Sequence, residues 1–201
     1  MLETYLFISP WGDECFHCEK ETIRYFKNAN EKVDFKVIPV LNMQIIQRYI
    51  HRQKEHGFDV VADYNTLFEE MYQTVLDYKA ACYQGRQKGR KFLVNIQEAI
   101  INEHQTYSKQ LGTDIAKEVG IDLECFEHDR RSNLAQKEFK LDQQLSQEMS
   151  VDTVPASVIF NLKDEECGVL IDHYDYNTLA SVCQLKLKDL EQQQYFEPHV
   201  L

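Results

Sequence analysis

Two cysteines three residues apart, in the run Cys15-Phe16-His17-Cys18, are the residues of this chain best suited to chemistry. A dithiol at this spacing attacks a disulfide with one sulfur and releases the product with the other, provided the attacking thiol ionises near neutral pH. A helix start favours that ionisation through its unpaired N–H groups and dipole, and a protonated His17 would add to it. The rival use of the pair is structural zinc. That needs four ligands, and no second Cys or His pair stands at ligand spacing, so no metal is expected. Cys82, Cys125, Cys167 and Cys183 are single and lie among apolar neighbours, which predicts buried and inert core side chains. Arg86, Lys88, Arg90 and Lys91 form a local basic cluster. Arg86 and Arg90 share a helix face at i, i+4 and suit an acidic partner segment. Trp11, just before the cysteines, is placed either to stack on a bound peptide or to cap the end of a sheet. There is no phosphate loop, dinucleotide fingerprint or Ser-His-Asp arrangement, so no cofactor is expected.

The elements that position these residues are legible from periodicity. Residues 3–10, Glu-Thr-Tyr-Leu-Phe-Ile-Ser-Pro, read as a buried strand ending at Pro10, followed by a turn over Trp11-Gly12-Asp13-Glu14. A helix over residues 13–30 carries the cysteine pair, with Asp13 and Glu14 suiting its positive end. Val33-Asp34-Phe35-Lys36-Val37-Ile38-Pro39-Val40 reads as a second strand, parallel to the first through a right-handed crossover. From 43 to 149 the period is helical. Met43, Ile46 and Ile50 make one stripe; Leu67, Phe68, Met71, Val75 and Tyr78 another; Phe92, Leu93, Ile96, Ala99 and Ile100 a third. Gly112-Thr113 opens a short helix that Gly120 closes, and Asp122 caps the next. Residues 51–63 are expected to be mobile. Val154-Pro155-Ala156-Ser157-Val158-Ile159-Phe160 and Cys167-Gly168-Val169-Leu170-Ile171 then form a hairpin, and a last helix runs from 177 to 194.

Composition narrows the class. The chain has 201 residues, 43% of them hydrophobic, with only 7 Gly and 4 Pro, which excludes disorder, collagen-like repeats and many-turned sandwiches. With 22 Lys and Arg against 33 Asp and Glu, the net charge is -11, a balance that repels nucleic-acid backbones and suits basic partners. No apolar run reaches the roughly 20 residues a spanning helix needs, and the N-terminus lacks a basic, export-type leader, so no membrane partner and a cytoplasmic location are expected.

The order strand-helix-strand, helical segment, strand-strand-helix, with Cys-Phe-His-Cys after the first strand and Val154-Pro155 opening the third, resembles a thioredoxin-like α/β fold with a DsbA-type all-helical insertion. The segment Tyr83-Gln84-Gly85-Arg86-Gln87-Lys88-Gly89 and the following Asn95-Ile96-Gln97-Glu98-Ala99 are similar to the SpxH (YjbH) branch of that superfamily, as are Ile121-Asp122-Leu123-Glu124-Cys125-Phe126 and Met149-Ser150-Val151. The resemblance implies a thioredoxin-like domain over 1–42 and 150–194, a helical insertion over 43–149 and a C-terminal tail over 195–201. It implies a cis peptide before Pro155. It further implies a cytoplasmic adapter that binds the transcription regulator Spx and delivers it to the protease ClpXP, with Trp11, Arg86 and Arg90 as candidate contacts. The alternative within the same superfamily is a thiol-disulfide oxidoreductase in which Cys15 attacks, Cys18 resolves and Pro155 positions the substrate. Two registers of the first turn separate these readings. In one, Gly12 occupies the nucleophile's place and Cys15 matches the resolving cysteine. In the other, the turn is three residues longer and Cys15 is the nucleophile.

Overall fold

The structure is a computed structural model that describes residues 1–28, 33–58, 63–161, 168–172, 174–184 and 199–200. The chain divides into two compact units: residues 1–8, 13–38 and 145–201 form the first, residues 9–12 and 39–144 the second.

The first unit is built on a sheet. Its strands are β1 (Leu2–Ile8), β2 (Val33–Pro39), β3 (Ala156–Phe160), β4 (Val169–Asp172) and β5 (His199–Val200), in the spatial order β2-β1-β3-β4-β5. β1 and β3 are antiparallel, Glu3 opposite Phe160 and Phe7 opposite Ala156, and β3 and β4 are antiparallel with Ser157 opposite Ile171. The central strands are apolar without alternation because both faces are covered: Leu6, Phe7, Ile8, Val158, Ile159 and Val169 are all fully buried. α1 (Asp13–Asn28) packs against α8 (Tyr176–Gln184). Asp13 and Glu14 fill the first turn of α1 and Lys27 the last, the charge order that a helix dipole favours. Of the helix expected over 177–194, residues 185–194 lie outside the described residues, as does the tail to 198. Backbone pairing of His199 and Val200 with β4 gives the chain's end a place in the sheet.

The second unit is helical: α2 (Met43–Glu55), α3 (Tyr64–Tyr83), α4 (Arg86–Gln97), a π-helical turn over Glu98–Asn102, α5 (Lys109–Val119), α6 (Leu123–Asp129) and α7 (Asn133–Glu148), of which the residues up to Gln144 belong here. Side-chain caps set the starts. Asn42, Asp63, Ser108 and Asp122 accept from the N–H groups of Ile45, Thr66, Leu111 and Cys125. The structure corrects two expectations here. α5 begins at Lys109 under its Ser108 cap, so Gly112 sits inside the helix instead of opening it. Residues 51–55, expected to be mobile, complete α2, while 59–62 lie outside the described residues.

Gly112 is inside α5 for a packing reason. A Cβ there would stand 2.4 Å from Asp77 Oδ2 and 3.0 Å from Arg130 Nη2. Those two side chains form a buried bidentate pair, Nε to Oδ1 at 2.7 Å and Nη2 to Oδ2, both almost wholly shielded from solvent. Tyr107 donates to Asp77 Oδ2 (2.8 Å), and Arg130 Nη1 reaches Glu127 (2.8 Å), Thr113 (3.1 Å) and the Lys109 carbonyl (3.2 Å). One arginine thereby pins α3, α5 and α6 to one another. A second buried pair, Lys79 with Asp142, ties α3 to α7. Gln143 beside it donates to the Pro39 carbonyl (2.9 Å) and accepts from the Leu41 N–H (3.0 Å).

Candidate functional site

The helix α1 begins at Asp13, directly after Gly12. Cys15 is therefore the third helical residue and Cys18 lies almost a full turn further in, where the dipole's pull on a thiolate has faded. Neither forms a disulfide and both are buried, at 2% and 5% exposure, while His17 between them faces solvent. The helix start thus sets Gly12 just before its first residue and Cys15 inside its first turn.

Cys18 is held as a thiol. Its Sγ–H donates to the Tyr174 carbonyl at 3.0 Å. Burial pushes the thiol up to about 11, and the carboxylates of Glu14, Asp175 and Glu21 act in the same direction. Behind it runs a directional chain of hydroxyls. Thr22 donates to the Cys18 carbonyl (2.7 Å), which commits its proton. Tyr174 must then donate to Thr22 (2.8 Å), and Ser157 to Tyr174 (2.5 Å). Ser157 is two residues beyond Pro155, whose peptide bond with Val154 is cis. The thread links β3, the segment before α8, and α1. Thr22, Ser157 and Tyr174 carry no motif, and only the i, i+4 spacing of Cys18 and Thr22 on one helix face hinted at any of it.

Chemically, this arrangement is poorly suited to thiol exchange. An attacking sulfur must be reachable, and Cys15, which would attack in the oxidoreductase reading, is buried at 2% exposure; the buried Cys18 would only resolve and does not decide the matter. Among the described residues, no group of three His, Cys, Asp or Glu side chains is placed to hold a metal ion.

The remaining predicted contacts fall in the second unit. Trp11 is buried at 4% exposure. Its indole N–H donates to Thr74 Oγ1 (3.1 Å), and its ring packs against Tyr49 and Tyr107 at 5.6 and 6.3 Å between centroids. It fills the helical unit's interior and presents no surface to a peptide. Arg86 is exposed and Arg90 half-buried, one turn apart on α4.

The segment around these arginines has a structural explanation. Gln84 grips the backbone of Asp122 twice, donating to its carbonyl (2.9 Å) and accepting from its N–H (2.7 Å). Gly85 adopts φ +123°, a conformation closed to ordinary L-residues. Lys88 donates to the Gly120 carbonyl (2.7 Å) at the end of α5. Gly89 lets α4 approach α3, since a Cβ there would meet the Cys82 sulfur at 2.3 Å. Gln84, Gly85, Lys88 and Gly89 thus build a rigid corner that holds Arg86 and Arg90 in place. The single cysteines do not all behave as expected. Cys125 is exposed because Phe126, the next residue of α6, takes the inward position; Cys82 and Cys183 are half-buried, and Cys167 lies outside the described residues.

Comparison with known proteins agrees with this architecture. The family model described as thioredoxin matches residues 5–181. The ClpXP adapter protein SpxH of Bacillus subtilis (strain 168) is 27% identical over 204 aligned positions, covering 90% of this chain and 66% of the relative. The ClpXP adapter protein SpxH of Staphylococcus aureus (strain MRSA252) is 25% identical, covering 85% of this chain and 59% of the relative. The chain therefore spans somewhat less than two thirds of the length of these curated relatives. Among solved structures, the oxidoreductase DsbA of Xylella fastidiosa superposes with a TM-score of 0.62 at 12% identity, covering 90% of this chain and 81% of its own. With the family model matched along nearly the whole chain, this protein belongs to the thioredoxin family, with a DsbA-like fold and SpxH adapters among its relatives.

Proposed function

We propose that this chain works as a protease adapter of the SpxH kind: it binds an Spx-type transcription regulator in the cytoplasm and presents it to ClpXP for degradation. The observation that carries the reading is sequence similarity to named ClpXP adapters over 85–90% of the chain. The burial of Cys15, the thiol that would attack in the rival reading, agrees with it, because an adapter acts by recognition and has no need of an accessible thiol. Arg86 and Arg90, held on α4, are proposed to meet an acidic segment of the regulator. The test is reconstituted degradation of purified regulator by ClpXP, with and without this chain. Acceleration at sub-stoichiometric concentration supports the adapter reading; an unchanged half-life overturns it.

The second reading, a thiol-disulfide oxidoreductase using Cys15 and Cys18, is favoured by the cis bond before Pro155 and by the DsbA-like fold. It requires that the purified chain oxidise or isomerise a model dithiol peptide, and that Cys15→Ser abolish that activity.

A further inference from the structure

The helix α7 carries the two exposed leucines of the described chain, Leu134 at 54% and Leu141 at 61% exposure. Seven residues apart, they lie on one stripe, and Lys137 and Gln144, both exposed, complete it at spacings of three, four and three. This is the spacing of a helix-pairing seam, with a lysine between its two leucines. The charge on the helix is sorted as well. Its two acids before Gln144 are turned inward, Asp142 to Lys79 on α3 and Glu138 toward Tyr83. Lys137 and Lys140 both face outward, so from Asn133 to Gln144 the exposed face is apolar and basic on a chain whose net charge is -11. The helix's inward face is supplied by Ala135, Phe139 and Asp142, so among the described residues the unit's packing does not use these leucines.

Resting on the adapter reading, we propose that the Leu134-Lys137-Leu141-Gln144 face of α7 docks an amphipathic helix of the regulator whose apolar residues flank at least one acid. The leucines serve as apolar anchors. The lysines select an acidic partner and fix the register, as a single polar residue does in a paired helix. A parallel second copy is disfavoured by the charge pattern, because it would set Lys137 against Lys137. A stable interface buries roughly 1,200 Å² or more, so this seam would supply the anchoring part of a larger contact.

The experiment measures binding of purified regulator to the full chain by calorimetry, for wild type, Leu134→Ala/Leu141→Ala and Lys137→Glu/Lys140→Glu. Unfolding midpoints serve as a check that the exposed substitutions leave the fold intact. Both variants are expected to bind at least tenfold more weakly, and the lysine variant to lose most of the salt dependence. Wild-type-like binding by both variants overturns this inference and leaves the adapter reading standing. No binding by the wild type overturns both. A wild-type dimer in sedimentation that the leucine variant dissociates, or wild-type binding to anionic vesicles that either variant abolishes, assigns the face to another occupant and overturns it too.

Discussion

Cys18 should be among the least reactive thiols of the folded chain, and alkaline pH should destabilise the fold through it. With its proton held to about 11 by burial, the thiolate fraction at pH 7 is about 10⁻⁴, against about 3 × 10⁻² for an ordinary thiol near 8.5. Alkylation should therefore run ~300-fold slower than in the urea-unfolded chain before the shielding at 5% exposure is counted. The linkage follows in sign. An unfolded Cys18 gives up its proton near 8.5 and the folded one only near 11, so between those values the folded state holds the extra proton and stability falls as pH rises. Below pH 8 the group contributes no slope. The full loss is ~3 kcal/mol. Cys18→Ser keeps a donor for the Tyr174 carbonyl and does not titrate, so its stability should lack this component of the decline between pH 8.5 and 11. Iodoacetamide labelling from pH 7 to 10 with mass mapping gives the first quantity, and urea titrations of both proteins give the second. A labelling midpoint at or below 8.5 for Cys18, or equal alkaline slopes in the two proteins, would refute the reasoning.

Other substitutions test the packing. Gly112→Ala drives a methyl into the Asp77–Arg130 pair, and denaturant unfolding should show a loss of ~2–3 kcal/mol; a loss under 0.5 would mean that the pair yields easily. Lys79→Met or Asp142→Leu alone should each cost ~3 kcal/mol by leaving one buried charge unpaired, while the double substitution recovers most of that in a double-mutant cycle. Tyr174→Phe removes the middle of the hydroxyl chain, stranding the Ser157 proton and a Thr22 lone pair, for ~1–2 kcal/mol in urea titration; no measurable change would show that the two hydroxyls find other partners.

The strands were readable because sheets covered on both faces write continuous apolar runs, as Leu6-Phe7-Ile8 and Val158-Ile159 do. The helices were readable through stripes such as Leu67, Met71 and Val75, and Asp122 and Gly120 marked real ends because cap chemistry is local. What stayed hidden depends on residues distant in sequence. Gly112 reads in sequence as the opening of a helix because its reason for being glycine is an ion pair made by Asp77 and Arg130, 53 residues apart. Trp11 could not be assigned from its neighbours, since its partners are Tyr49, Thr74 and Tyr107. The cysteine pair was visible as a motif, but its chemistry was not: the Tyr174 carbonyl that receives the Cys18 proton is 156 residues away.

Arg130 has a consequence for how the helical unit opens. Its guanidinium is shared among α3, α5 and α6, so lifting any one of them exposes or strands a charge that the other two keep buried. Partial opening is then nearly as costly as opening the three together. These helices should behave as one cooperative block, their slowest amide protons exchanging with solvent at a common free energy, whereas the termini and turns outside the arginine's reach exchange independently.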